Sequence, residues 1–169
     1  MKEYINLEDK LKDIFSNTND WLKFAETKTA TLLAGNGVII FGLFRIFKST
    51  DTIHNIFIST VMILLSLSIF INLLSLIPSL KMPFILYTKD KSENDNLLYF
   101  GDIVKYSTTE YLTKINNRTK NFTDFEQYYA NQIIINSVIV LKKFRLFLIS
   151  IYLTSSAVFI LLIALIKYL

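Results

Sequence analysis

Three apolar runs, residues 29–47, 56–80 and 146–166, constrain this chain more than any other feature, and the second and third carry no charged side chain. A helix needs about 20 mostly apolar residues to cross a hydrocarbon core of about 30 Å. Each run meets that length, so the pattern predicts three transmembrane helices. Between the second and third lies one long polar stretch, residues 81–145, the obvious place for a regulated activity.

With 52% hydrophobic and 19% charged residues, the chain is far from the composition of a soluble domain. Three spans of about 20 residues leave about 100 residues outside the bilayer, chiefly 1–28 and 81–145. Neither segment buries much apolar core alone, so the two are expected to fold together on one side of the membrane. The absence of cysteine excludes disulfides and thiolate metal sites. A formal charge of +4 is too small to paint a surface for nucleic acid, and no nucleic-acid partner is expected. Glu3, Glu8, Asp9, Asp13 and Asp20 interrupt the N-terminal segment, which does not read as a signal peptide. Membrane entry is expected from the first span itself.

Lysine and arginine near span ends set orientation. Lys81, Lys89 and Lys91 follow the second span, and Lys142, Lys143 and Arg145 precede the third. The loop between spans one and two offers Arg45 and Lys48, and the C-terminus Lys167. Residues 81–145 and the N-terminus are therefore expected in the cytoplasm, with the C-terminus outside.

Upstream of the first span, Tyr4, Leu7, Leu11, Ile14, Thr18, Trp21, Ala25, Lys28 and Leu32 recur at alternating three- and four-residue spacing. That is the seam of a helix packed lengthwise on another helix, and its phase predicts one long helix running into the span. Pro78 and Pro83 mark the end of the second span. Residues 89–96 (KDKSENDN) read as a mobile charged loop, and a short helix is expected over 102–115, ended by Asn116-Asn117-Arg118. Thr123-Asp124-Phe125-Glu126 has the capping-box pattern and no breaker follows it. A helix over 124–168 would be about 67 Å long, of which the bilayer core uses about 30 Å. The fold class is accordingly an all-α integral membrane protein with three transmembrane helices, the first and third extended into a small cytoplasmic helical bundle. Its expected domains are a stalk helix over 1–28, a transmembrane hairpin over 29–80 (spans 29–47 and 56–80), a cytoplasmic sensor segment over 81–145, and a third transmembrane helix over 146–169.

The residues point away from catalysis. His54 is the lone histidine and reads as part of the external loop without acid partners. Asp90, Glu93 and Asp95 lack the spacing and ordering glycine of a cation loop, and read as a solvated charge run. No phosphate loop, zinc motif or nucleophile elbow occurs, so no catalytic residue, metal or cofactor is expected. Trp21 suits a membrane-interface anchor and Lys28 a snorkelling lysine; alternatively Glu26 and Lys28 form a polar pocket at the membrane boundary. Asn36, between Gly35 and Gly37, and Asn72 lie inside spans, where amides seek each other or another helix. Either packing or a polar pore lining fits them. On the last helix Gln132, Asn136, Lys142 and Lys143 interrupt an apolar face that includes Tyr128, Tyr129, Ile135 and Ile139. Tyrosines can stack on a base and lysines can hold phosphates.

Three segments taken together, Trp21…Phe24-Ala25-Glu26-Thr27-Lys28…Asn36, then Asn96-Leu97-Leu98-Tyr99-Phe100-Gly101-Asp102-Ile103, then Gln132…Asn136-Ser137…Lys142-Lys143, resemble the transmembrane effectors of the bacterial Pycsar anti-phage system and related second-messenger defence systems. Their order and the layout of two spans, cytosolic segment and terminal span agree over most of the chain; relatives often carry Asp where Glu26 stands. The resemblance implies a multi-pass protein of the bacterial inner membrane that senses a cyclic nucleotide made by a partner cyclase and impairs the membrane. In some relatives the nucleotide restrains the effector instead, and the sign is not written in the residues. In this light Trp21, Lys28, Tyr99, Phe100, Gln132 and Lys143 are the candidate ligand-binding residues, with rings stacking on the base and polar groups fixing ribose and phosphate. A homo-oligomer is expected. The alternatives are a non-sensing membrane anchor or scaffold subunit, or a ligand-independent holin-like pore.

Overall fold

The computed structural model describes residues 7–46, 52–78, 90–116 and 121–167. Among them the chain is helical without strands: α1 (Leu7–Ile46), α2 (Thr52–Leu76), α3 (Phe100–Ile103), α4 (Thr108–Asn116) and α5 (Asp124–Lys167). Three of these, α1, α2 and α5, are long and apolar enough to cross a membrane, as the three apolar runs predict. α5 starts where the capping box places it. The Thr123 N–H donates to Glu126 Oε2 at 2.8 Å and the Glu126 N–H to Thr123 Oγ1 at 3.3 Å. Pro78 follows the end of α2, while Pro83, Tyr4, Phe47, 79–89 and 117–120 lie outside the described residues. His54 falls in the first turn of α2 rather than in a loop.

The chain divides into two compact units, residues 1–24 with 79–142, and residues 25–78 with 143–169. α1 and α5 contribute to both. In the first unit Leu7, Leu11 and Ile14 of α1 meet Ala130, Ile133 and Ile134 of α5 and Ile103, Tyr106, Tyr111 and Leu112 of the connecting segment. The α1 side of this core is the predicted seam.

That connecting segment departs from the expected single helix over 102–115. It breaks at Val104–Ser107 because Ser107-Thr108-Thr109-Glu110 is a second capping box. The Ser107 N–H donates to Glu110 Oε2 at 2.9 Å and starts α4 afresh. Of the preceding charged residues Asp90 and Glu93 are exposed, as a solvated run requires, but Asp95 is not. Asp95 accepts from Lys105 Nζ at 2.7 Å and from the Tyr106 hydroxyl at 2.6 Å, and Lys105 also pairs with Asp102 at 2.6 Å. The Lys105 hydrogen bond, helped by the Ser92 backbone and Tyr106, holds the Asp95 carboxyl well below the usual carboxylate range. Asp102 and then Asp95 raise Lys105 above the usual lysine range. Lys91, at 2.7 Å, and the Ser107 cap lower Glu110 from 4.5 to about 2. Tyr111 donates to the Leu97 carbonyl at 2.8 Å, and burial pushes its hydroxyl pKa up.

In the second unit Leu43, Val61, Leu65 and Ala157 form an apolar cluster among α1, α2 and α5. Outward positions there are large and apolar, including Phe41, Phe44, Ile63, Phe70, Tyr152, Phe159 and Ile166, the exterior that lipid requires. The seam of α1 slips as it enters this unit. Lys28, the expected seam position, is exposed, and Thr29 is buried in its place, followed by Asn36 and Leu43 at seven-residue steps. The step from Ala25 to Thr29 is an extra four residues, a stutter that locally unwinds a coiled-coil seam.

Candidate functional site

α1 presents two different faces on either side of its buried seam in the first unit. At about 100° per residue, Asn17, Trp21 and Phe24 fall on one flank, and Phe15 and Asn19 on the other.

The first flank meets the segment 96–103. Asn96 folds that segment into a tight turn, its Oδ1 accepting from the Leu98 N–H at 2.9 Å and its N–H donating to Asp102 Oδ2 at 3.1 Å. Asn17 Nδ2 donates to the Leu98 carbonyl at 3.3 Å. The turn delivers Phe100, buried, to 5.6 Å between ring centroids from Trp21, which lies 5.9 Å from Phe24. Tyr99 lies 4.6 Å from Phe100 and keeps 44% of its surface exposed. Gly101 is required by this arrangement, since a Cβ there would sit 2.5 Å from Tyr99 Cε1. Three of the six candidate ligand residues, Trp21, Tyr99 and Phe100, are thus brought into one cluster of mutually tilted rings with an accessible outer ring.

On the other flank a cavity of about 370 Å³ is lined by Phe15, Phe125, Tyr128, Tyr129 and Gln132. Phe15 and Phe125 pack on Tyr129 with centroids at 5.7 and 4.7 Å. The Gln132 amide is oriented by a relay. Its Nε2 donates to Asn136 Oδ1 at 3.1 Å, and Asn136 Nδ2 donates to Asn19 Oδ1 at 2.8 Å. Gln132 itself is exposed at the lining of the cavity. Aromatic walls with an aligned amide are what a nucleobase needs, since rings stack on its faces and an amide reads its edge. The sequence reading marked Gln132, Asn136 and both tyrosines but missed Phe15, Asn19 and Phe125. The spacing of Phe125, Tyr128, Tyr129 and Gln132, at i, i+3, i+4 and i+7, was the available signal for one helix face.

Lys28 and Lys143 belong to the second unit. Lys28 Nζ lies 5.9 Å from the Phe147 ring centroid. Lys143 is 5% exposed; its ammonium pairs with Glu26 at 3.1 Å and donates to the Ser75 carbonyl at 2.8 Å. Ser75 is in the last turn of α2, where carbonyls have no intrahelical donor, so Lys143 serves as a cationic C-cap for that helix. The polar pocket expected from Glu26 and Lys28 is instead a Glu26–Lys143 pair.

Deeper in the same unit, Asn36 joins all three long helices. Its Nδ2 donates to Ser68 Oγ at 2.9 Å and Thr154 Oγ1 at 3.0 Å, and its Oδ1 accepts from Thr154 at 3.1 Å. Ser68 Oγ donates to the Ser150 carbonyl at 3.0 Å. Asn72 is fully buried and neither of its amide atoms has a hydrogen-bond partner among the described residues. The two amides therefore do not seek each other.

Among the described residues no cluster of His, Cys, Asp and Glu has a metal-binding arrangement. No curated protein and no solved structure gives a significant match to the chain. A sequence model of the Pycsar effector protein domain matches residues 10–169, which takes in α1 from its second turn onward, α2 to α5, and every residue of the aromatic cluster, the cavity and the Asn36–Ser68–Thr154 contacts. The chain belongs to the Pycsar effector family, whose members act at membranes in cyclic-nucleotide anti-phage defence.

Proposed function

We propose that this protein senses a cyclic nucleotide through its first unit and answers by impairing the membrane that its second unit spans. The observation that carries this reading is that α1 and α5 are each unbroken over 40 and 44 residues. Each bears ring or amide groups suited to a base near one end and span residues near the other. Trp21, Tyr99 and Phe100 offer one stacking surface, and Gln132 with its aromatic cavity offers a second. Lys28 and Lys143 we assign to the response, since Lys143 already holds Glu26 and the end of α2. The first unit is cytoplasmic in this reading, where a cyclase product accumulates, and the protein sits in the inner membrane as a homo-oligomer. A ligand that orders the first unit shifts the population of helix arrangements it prefers, and rigid helices carry that preference into the spans.

The test is isothermal titration of the detergent-purified chain against a panel of cyclic mono- and dinucleotides, with Gln132→Ala and Tyr99→Ala alongside. At least one member binds the wild type, and one or both variants bind it more weakly. A panel without any binder removes sensing from the proposal and leaves an anchor or a ligand-independent pore.

A further inference from the structure

Within the second unit the buried positions of α2 are Ile58, Val61, Leu65, Ser68, Asn72 and Ser75, spaced three and four apart as one continuous seam. Midway the seam changes character, from wholly apolar to wholly polar. Its polar part, from Ser68 to Ser75, is about 10 Å long at about 1.5 Å per residue. It is bounded at one end by the Asn36–Ser68–Thr154 knot and at the other by the Lys143 ammonium on the Ser75 carbonyl. Beyond the knot lies the Leu43, Val61, Leu65 and Ala157 cluster. The outward side of the same helix carries Ile63, Phe70, Leu73 and Leu74, so from Ser68 onward α2 is more polar inside than outside.

Asn72 sits in the polar part with 0% exposure, and among the described residues neither its Oδ1 nor its Nδ2 has a hydrogen-bond partner; the Ser75 hydroxyl three residues on is also buried and unpartnered among them. An amide left bare in an apolar interior costs several kcal/mol, and the leucine that would fill this seam carries no such cost. A second copy of the chain cannot supply the partner, because both amide atoms are inaccessible from outside the unit. Water can, since a buried water takes about three hydrogen bonds and Asn72 with Ser75 offers both donors and acceptors on one helix face.

We infer that the Ser68–Asn72–Ser75 face of α2 is an internal water-binding well, closed at its far end by the apolar Leu43–Val61–Leu65–Ala157 plug. Hydrophobic constrictions gate pores by excluding water. Displacing this plug joins the well to the far side of the bilayer, release of Lys143 from the Ser75 carbonyl opens its other end, and the two together make a path for ions. This step rests on the membrane-impairing reading above and names the route the leak takes; the existence of the well does not depend on nucleotide.

Because the chain has no cysteine, single cysteines report water directly. Ser75→Cys, Asn72→Cys, Leu65→Cys and Val61→Cys are made in the full chain, placed in lipid nanodiscs and checked for helicity by circular dichroism. They are exposed to silver ion, which is small enough to enter a water site. Thiols still free are then counted by maleimide after denaturation. Silver blocks Ser75→Cys and Asn72→Cys more than an order of magnitude faster than Leu65→Cys and Val61→Cys. Asn72→Cys reacting as slowly as Leu65→Cys overturns the well, and four equal fast rates overturn the plug. Ser75→Cys is nearly isosteric and keeps the test alive if Asn72→Cys does not fold. In proteoliposomes Leu65→Asn combined with Lys143→Ala leaks protons without nucleotide while Lys143→Ala alone is tight; a tight double variant contradicts the plug. An intact reactivity gradient with a chain that binds no nucleotide supports the well and sinks only the sensing claim.

Discussion

Lys143 satisfies the end of α2 and the carboxylate of α1 with one ammonium group. Lys143→Ala removes a charge-assisted hydrogen bond worth about 1–3 kcal/mol and frees the α2 terminus. Thermal melting of the purified protein should fall accordingly, whereas Lys142→Ala, on the exposed side of α5, leaves it unchanged. Phe100 is the residue on which Trp21 and Tyr99 converge, so Phe100→Ala should cost the first unit about 3–5 kcal/mol and red-shift the fluorescence of the single tryptophan. The ionised cluster around α3 and α4 predicts an acid limit. Asp95 and Glu110 have folded pKa values below their unfolded ones, so their stabilisation is present above the unfolded value and is lost as pH falls through the folded one. For Glu110 that window runs from 4.5 down to about 2. Trp21 fluorescence should therefore report loosening of the first unit across that range, and Asp95→Asn should flatten the acid limb while lowering stability at neutral pH. Lys105 is shifted the opposite way, and its contribution is lost only in strong alkali.

At the scale of elements, α1 is the proposed link between sensing and response. Inserting Gly-Gly after Phe24, at the boundary of the units and just before the seam stutter, adds two residues that each cost about 1 kcal/mol in a helix and turns the helix beyond them by about 200°. Nucleotide binding should survive in calorimetry and the membrane response should vanish; loss of both together would place the insertion's effect on folding of the first unit instead. Much at this scale was legible in advance. The spans follow from apolar length, and the start of α5 from Thr123 and Glu126. The helix-packing face of α1 follows from Leu7, Leu11, Ile14 and Thr18. The break between α3 and α4 was equally written in Ser107 and Glu110, but apolar periodicity across 102–115 hid it. The exchange of Lys28 for Thr29 was not legible, because a seam shifts by one position when its partners change, and the partners of the second unit lie on α2 and α5, distant in sequence. For the same reason Asn36 announced a polar contact without naming Ser68 and Thr154, and nothing local marked Asp95 as paired with Lys105.

For the whole molecule, the account is that a soluble signal read by the aromatic and amide groups of one unit changes the permeability of a membrane spanned by the other. The most direct test puts the full chain in proteoliposomes loaded with a potential-sensitive dye and adds cyclic mono- and dinucleotides to both faces, following Trp21 fluorescence in the same sample. The account predicts that a nucleotide which perturbs Trp21 also changes the membrane potential, with both responses weakened by Gln132→Ala or Tyr99→Ala. A potential that no nucleotide alters, whatever happens at Trp21, would contradict it.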